Sequence, residues 1–141
     1  MTTKEYLGQI IRLDANINNK LSELTQAKEL ACSISAISYE ERVQTTPNFD
    51  KIGTALCKIE KMQEEINRLV DRYVDKKTQI VEQIETMEND MHYKVLFKRY
   101  VEGKTFEKIA IETTYSFRQI IRIHGRALQG FEKKYGEIYL V

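Results

Sequence analysis

A chain of 141 residues suffices for one ordinary domain or a small domain with an extension, and one Pro, six Gly and 30% charged residues favour helices over sheets. No apolar run approaches the roughly 20 residues of a membrane span and no signal-peptide core opens the chain, which points to a soluble, cytoplasmic protein without a membrane partner. The net charge of +1 hides a division: residues 94–135 carry ten Lys or Arg against four acids, a surplus of +6 that leaves −5 for the rest.

From Thr3 to about residue 35, apolar residues recur at alternating three and four spacings: Tyr6, Ile10, Leu13, Ile17, Leu24, Ala27 and Ala31. That is the period of a single helical seam, interrupted by Lys20 and widened by Leu21. Residues 37–49 lack sustained periodicity and read as the break between two helices. Pro47 suits a first helical position with Thr46 as cap, although Asp50 serves as an alternative cap.

A second seam runs through Ile52, Leu56, Ile59, Ile66, Val70, Tyr73, Ile80, Ile84, Met87 and Met91, filling two heptad rows apart from Gln63 and Lys77. A helix of about 40 residues is about 60 Å long, too long for a small neighbouring domain to cover. The simplest architecture is all-α: a long helical hairpin, a coiled-coil-like arm over residues 1–90, whose two seams face one another. Seams of this length also recruit a second chain, so a homodimer through the arm is expected, with a monomeric hairpin as the alternative. Cys32 and Cys57 read as reduced, buried thiols, with a disulfide left open only if the hairpin brings them together.

Residues 91–135 read as a small tri-helical head, followed by a tail at 136–141. Asn89 or Asp90 caps a helix holding Val95, Leu96 and Tyr100, which ends in the turn Glu102-Gly103-Lys104. Thr105 caps a short helix with Phe106, Ile109 and Ala110 inside, the small Ala110 allowing two helices to cross closely. After Thr113, Thr114 and Tyr115, Ser116 caps a final helix with Ile120, Ile123, Ala127 and Leu128 on one face and Arg118, Gln119, Arg122 and Arg126 away from it. Such a helix suits the major groove, because Arg pairs with guanine O6/N7 and Gln with adenine N6/N7, while phosphates need only positive charge and donors.

The run LFKRYVEGKTFEKIA at 96–110, followed by YSFRQIIRIHGRAL at 115–128, resembles the fourth region of bacterial sigma factors over the last third of the chain. The resemblance implies a promoter-binding helix-turn-helix with Ser116 as cap. It makes Arg118, Gln119 and Arg122 base- or phosphate-facing, and Ile109, Ala110, Ile120 and Ala127 the packing residues. Arg126 and Lys104 complete the candidate double-stranded DNA contacts, and RNA polymerase is the further partner the resemblance implies. Thr114 stands where such modules usually place Gly, so the turn is either built differently or strained. Gly125 inside the final helix either allows a close backbone approach or is a tolerated surface residue.

The segment Val43-Gln44-Thr45-Thr46-Pro47 and the long helix after it resemble small phage and prophage proteins of unassigned function from Gram-positive hosts, related to late-gene transcription regulators. The location implied is the host bacterial cytoplasm. Nothing resembles the promoter-melting region of a complete sigma factor.

No enzyme is expected. His92 and His124 lack ligand-spaced partners, so no metal or cofactor is expected; His124 reads as packed or solvent-facing, with a phosphate contact as the alternative. Glu60, Glu64 and Glu65 fit helix-surface pairing with nearby Lys better than acid-base chemistry. The leading expectation is a phage-type, sequence-specific DNA-binding transcriptional regulator. The alternatives are a small terminase-like packaging component and an RNA polymerase-binding adaptor.

Overall fold

Seams spaced by three and four residues call for amphipathic helices, and the computed structural model consists of them. It describes residues 1–40 and 46–140, with side-chain surroundings for 1–34 and 50–140. The elements are α1 (Thr3–Leu7), α2 (Gln9–Glu40), α3 (Thr46–Glu85), α4 (Asp90–Leu96), a π-helical turn (Phe97–Val101), α5 (Phe106–Thr113) and α6 (Phe117–Tyr139), with no strand among the described residues. The all-α expectation therefore holds. Of the residues expected as a break across 37–49, 37–40 belong to α2 and 46–49 to α3, which places Asp50 inside the helix rather than at its cap. The readings of Val43, Gln44 and Thr45 lie outside the described residues.

The chain divides into two units, residues 14–72 and residues 1–13 with 73–141. In the first, α2 and α3 lie antiparallel as a hairpin. Leu24 and Ala31 pack with Ile59 and Ile66, flanked by Ala27, Ala55 and Met62. Lys20, the interruption in the α2 seam, reaches Glu65 at 3.5 Å and so spans the hairpin at its edge. Within the hairpin one of the two expected α3 rows is corrected, although the same row's Ile84 is fully buried in the second unit. Ile59 and Ile66 are buried, but Leu56 is 56% and Val70 39% exposed. Ala55 and Met62 turn inward instead, joined by half-buried Leu69. The row through Leu56 and Val70 also carries Gln63 and Lys77, whose desolvation would oppose burying it, and the row three residues after Ile52, Ile59 and Ile66 avoids that cost. Cys32 and Cys57, expected buried, are both exposed and free because each falls off the inward rows.

The second unit gathers chain segments that the sequence pattern separates. Tyr6, Leu7 and Ile10 pack with Ile80 and Ile84 of α3, Leu96 and Tyr100, and Ala127, Phe131 and Tyr139 of α6. Tyr6 stacks on Tyr139 at 4.4 Å between ring centroids. Its hydroxyl donates to Gln83 Oε1 at 2.7 Å, satisfying two polar groups inside an apolar core. Thr2 and Glu5 form a capping box that starts the chain's first turn. The helical path then passes Gly8, whose N–H donates to the Lys4 carbonyl and whose own carbonyl accepts from Arg12 N–H.

The expected partition into residues 1–90, 91–135 and a tail thus differs from the contacts found. Both ends of the expected arm belong to the C-terminal unit, and α6 continues to Tyr139, with Gly136 and Tyr139 buried where a tail was expected. Asn89 rather than Asp90 caps α4, its Oδ1 accepting from Met91 and His92 N–H.

Candidate nucleic-acid interface

Three short elements hold the N-terminal half of α6. Thr105 Oγ1 accepts from Lys108 N–H and fixes the start of α5. Ile109 and Ala110 then bury against Val95 and Ile120, with Phe106, Ile123 and Met91 closing the cluster. Ala110, 7% exposed, occupies the packed side of α5, as its size suggests.

The turn into α6 resolves the alternative posed by Thr114. Its φ is +62°, the left-handed region, so the turn has the geometry that Gly favours but carries a β-branched residue. The helix that follows begins with a complete capping box. Ser116 Oγ accepts from Gln119 N–H at 3.2 Å, and Gln119 Oε1 accepts from Ser116 N–H at 3.0 Å. Ser116 is therefore the cap, and the Gln119 carboxamide turns back along its own helix.

The back of α6 is dry. Ile120, Ala127 and Phe131 are fully buried, and His124 lies among them at 6% exposure. His124 Nε2 shares a 2.7 Å hydrogen bond with Tyr100 Oη, and its ring meets Phe106 edge-on at 4.8 Å. Burial, reinforced by the positive charges of Lys4 and Arg99, pushes the His124 pKa down to about 4, while burial raises Tyr100 to about 12. A neutral, internally bonded imidazole is not placed to meet a phosphate, so the packed reading of His124 replaces that alternative. Within the π-helical turn, neighbouring Arg99 lies over the Phe106 ring at 4.4 Å and donates to the Lys104 carbonyl at 3.1 Å.

The +6 surplus has a definite distribution. Lys98 and Lys104 both bind Glu112, each at 2.9 Å, and Lys104 also binds Glu102 at 2.8 Å. Those contacts pull the Glu112 pKa down to about 2 and raise that of Lys104. Lys94 pairs with Asp90, and Lys134 donates to the Thr86 carbonyl. Arg118, Arg122 and Arg126, by contrast, are exposed and pair with no carboxylate among the described residues. Lys98 and Lys104 thus serve internal pairing, whereas Arg118, Arg122 and Arg126 on α6 remain directed to solvent.

Of the six candidate residues, Arg118, Arg122 and Arg126 share one exposed helix, Ser116 and Gln119 form its cap, and Lys104 sits between two carboxylates. Gly125 is exposed, with nothing within 4 Å of a Cβ built on it. The sequence reading overlooked Phe117 and Ile121, 47% and 41% exposed on the same helix. Their offset from Ile120 and His124 in the helical period is the signal that identifies them. Among the described residues no three His, Cys, Asp or Glu side chains converge as a metal cage requires. No family model, curated protein or solved structure matches the chain.

Proposed function

We propose that this chain is a sequence-specific DNA-binding transcriptional regulator whose α5 and α6 work as a helix-turn-helix resembling sigma factor region 4. The observation that carries the reading is the set of three exposed arginines without carboxylate partners on α6, beside a cluster in which Lys98 and Lys104 are already neutralised. Helix N-terminal residues with positive charge and a buried back are what a duplex-reading helix needs. The resemblance of residues 96–128 to a promoter-binding module supports the same assignment.

The test uses duplexes selected from random DNA and titrated at several salt concentrations. Arg118→Ala with Arg122→Ala removes two phosphate- or base-facing charges, which lowers the salt slope by roughly 2 if both neutralise phosphates. Unchanged binding by the double variant overturns the assignment. A wild-type slope near zero transfers the head to a protein partner, as in a polymerase-binding adaptor.

The arm supplies the second part of the proposal: it pairs with a second copy. Among the described residues no seam residue of the hairpin is fully enclosed: Ile66 is 7% exposed, and Ile17, Leu24, Ala31 and Ile59 are 8–9% exposed. A cleft of about 680 Å³ beside the seam has an apolar side formed by Ala27, Leu30, Ile34, Ala55 and Met62 and a rim of polar and charged side chains, and Leu30 is 62% exposed. Leu30 and Leu56, 62% and 56% exposed, lie outside the buried seam, and a second hairpin laid against that side makes a four-helix bundle. Light scattering is expected to report a dimer that Leu30→Glu weakens. A monomer at tens of micromolar contradicts this, and a ring of many subunits shifts the reading to a terminase-like packaging component.

A further inference from the structure

The first turns of α6 carry two parallel rows one residue apart. Arg118 and Arg122 form one, and Phe117 and Ile121 form the other, each pair separated by a single helical turn. Both apolar side chains are nearly half exposed, and neither belongs to the clusters that hold α6 in place. The core of this unit therefore gives no account of them. Two exposed apolar side chains at the start of a helix lined with solvent-facing arginines form a surface with a defined chemistry: a polyanion bearing apolar groups at regular spacing.

Gln119 narrows that chemistry. Pairing with adenine N6/N7 takes both the oxygen and the amide of a Gln side chain, and Gln119 Oε1 already accepts from Ser116 N–H and lies 3.2 Å from Ser116 Oγ. Using it on a base would break the side-chain half of the capping box, leaving Ser116 N–H without its acceptor. Arginines remain for guanine or phosphate. For Phe117 and Ile121 the major groove offers one apolar group, the thymine 5-methyl.

We propose that Phe117 and Ile121 are specificity residues that read thymine 5-methyl groups in the major groove, beside the positions contacted by Arg118 and Arg122. The inference rests on the DNA-binding reading above and adds the base chemistry of the site: thymines recognised through their methyl groups. Each enclosed methyl contributes roughly fourfold to affinity, taking the transfer of one carbon from water.

The experiment exchanges thymine for uracil, which deletes the methyl and keeps the base pairing and the phosphate charge. A duplex selected by the full-length protein is synthesised in both forms and titrated by fluorescence anisotropy with wild type, Phe117→Ala and Ile121→Ala, whose folding is checked by circular dichroism. The wild type is expected to bind the uracil duplex about four- to fifteen-fold more weakly with an unchanged salt slope. Each variant is expected to bind the thymine duplex more weakly and to lose part of the thymine-over-uracil preference. If the wild type binds both duplexes equally with a steep salt slope, methyl reading fails and DNA binding stands. Absence of salt-dependent binding to any duplex overturns both. Variants that bind DNA like the wild type also overturn the inference and assign the apolar row to a protein contact, and so do variants that keep the full preference.

Discussion

His124 makes the stability of the C-terminal unit depend on pH in a narrow window. Its pKa is near 6.5 when unfolded and pushed down to about 4 when folded, because a charged imidazole would have to sit in the dry space beside Tyr100 and Phe106. The folded state therefore binds fewer protons than the unfolded chain below pH 6.5. The stability contributed by the neutral ring is fully present above pH 6.5 and is lost as pH falls toward 4. Linkage gives a loss of about 1 kcal/mol at pH 6 and about 2 kcal/mol at pH 5 relative to neutral pH. Glu112, held at about 2, does not interfere: its stabilisation is present above the ordinary carboxylate pKa and is lost only as pH falls toward 2. His92, also lowered by partial burial and by Arg126, contributes in the same direction to wild type and variant alike. His124→Gln retains an acceptor for the Tyr100 hydroxyl and removes the titration. Urea unfolding at pH 7.5 and pH 5 should show the wild type losing about 2 kcal/mol more than the variant. Equal losses in the two proteins refute the reasoning, as does an NMR titration placing the His124 pKa near 6.5.

Thr114→Gly relieves a β-branched residue at φ +62°, a strain of about 1–2 kcal/mol, partly offset by about 0.4–1 kcal/mol of added freedom in the unfolded chain. A gain of about 0.5–1 kcal/mol in urea unfolding is expected, and a loss would show that the Thr114 side chain, which donates to the Thr113 carbonyl at 2.6 Å, matters more than its backbone strain. Phe131→Ala empties a fully buried site against Tyr6, Tyr135 and Tyr139 and should cost about 3–5 kcal/mol, close to the whole stability of a small domain. A loss below about 1 kcal/mol would mean that the core around Phe131 is not packed as described.

Much of the fold was legible because it rests on local period. The seam from Tyr6 to Ala31, across α1 and α2, lies inward as its spacing dictates, and Thr105 and Ser116 cap the helices their positions announce. On α3 the period holds, but the row through Leu56 and Val70 faces outward in the hairpin and turns inward only from Ile84. Leu56 and Ala55 are adjacent, both are apolar, and only the polar Gln63 and Lys77, one and three heptads further on, argue against the Leu56 row. The union of Tyr6, Leu7 and Ile10 with Phe131 and Tyr139 had no local signal, since nothing in either segment alone names its distant partner. The same limit applies to the candidate interface. The charge surplus was plain from composition, but which cations are consumed by Glu102 and Glu112 depends on the turn that brings Lys98, Lys104 and α5 together. Nor does a sequence say whether Gln119 serves its own helix or a base, and here the capping box uses it.

In the proposed function, Arg118 and Arg122 of α6 lie against a duplex. Titration of a selected DNA fragment, with wild type and the Arg118→Ala, Arg122→Ala double variant compared across salt concentrations, addresses it most directly. Tight, salt-dependent binding is expected of the wild type, and weaker binding of the double variant, with a salt slope shallower by roughly 2 where both arginines neutralise phosphates. Superimposable curves for the two proteins would contradict it.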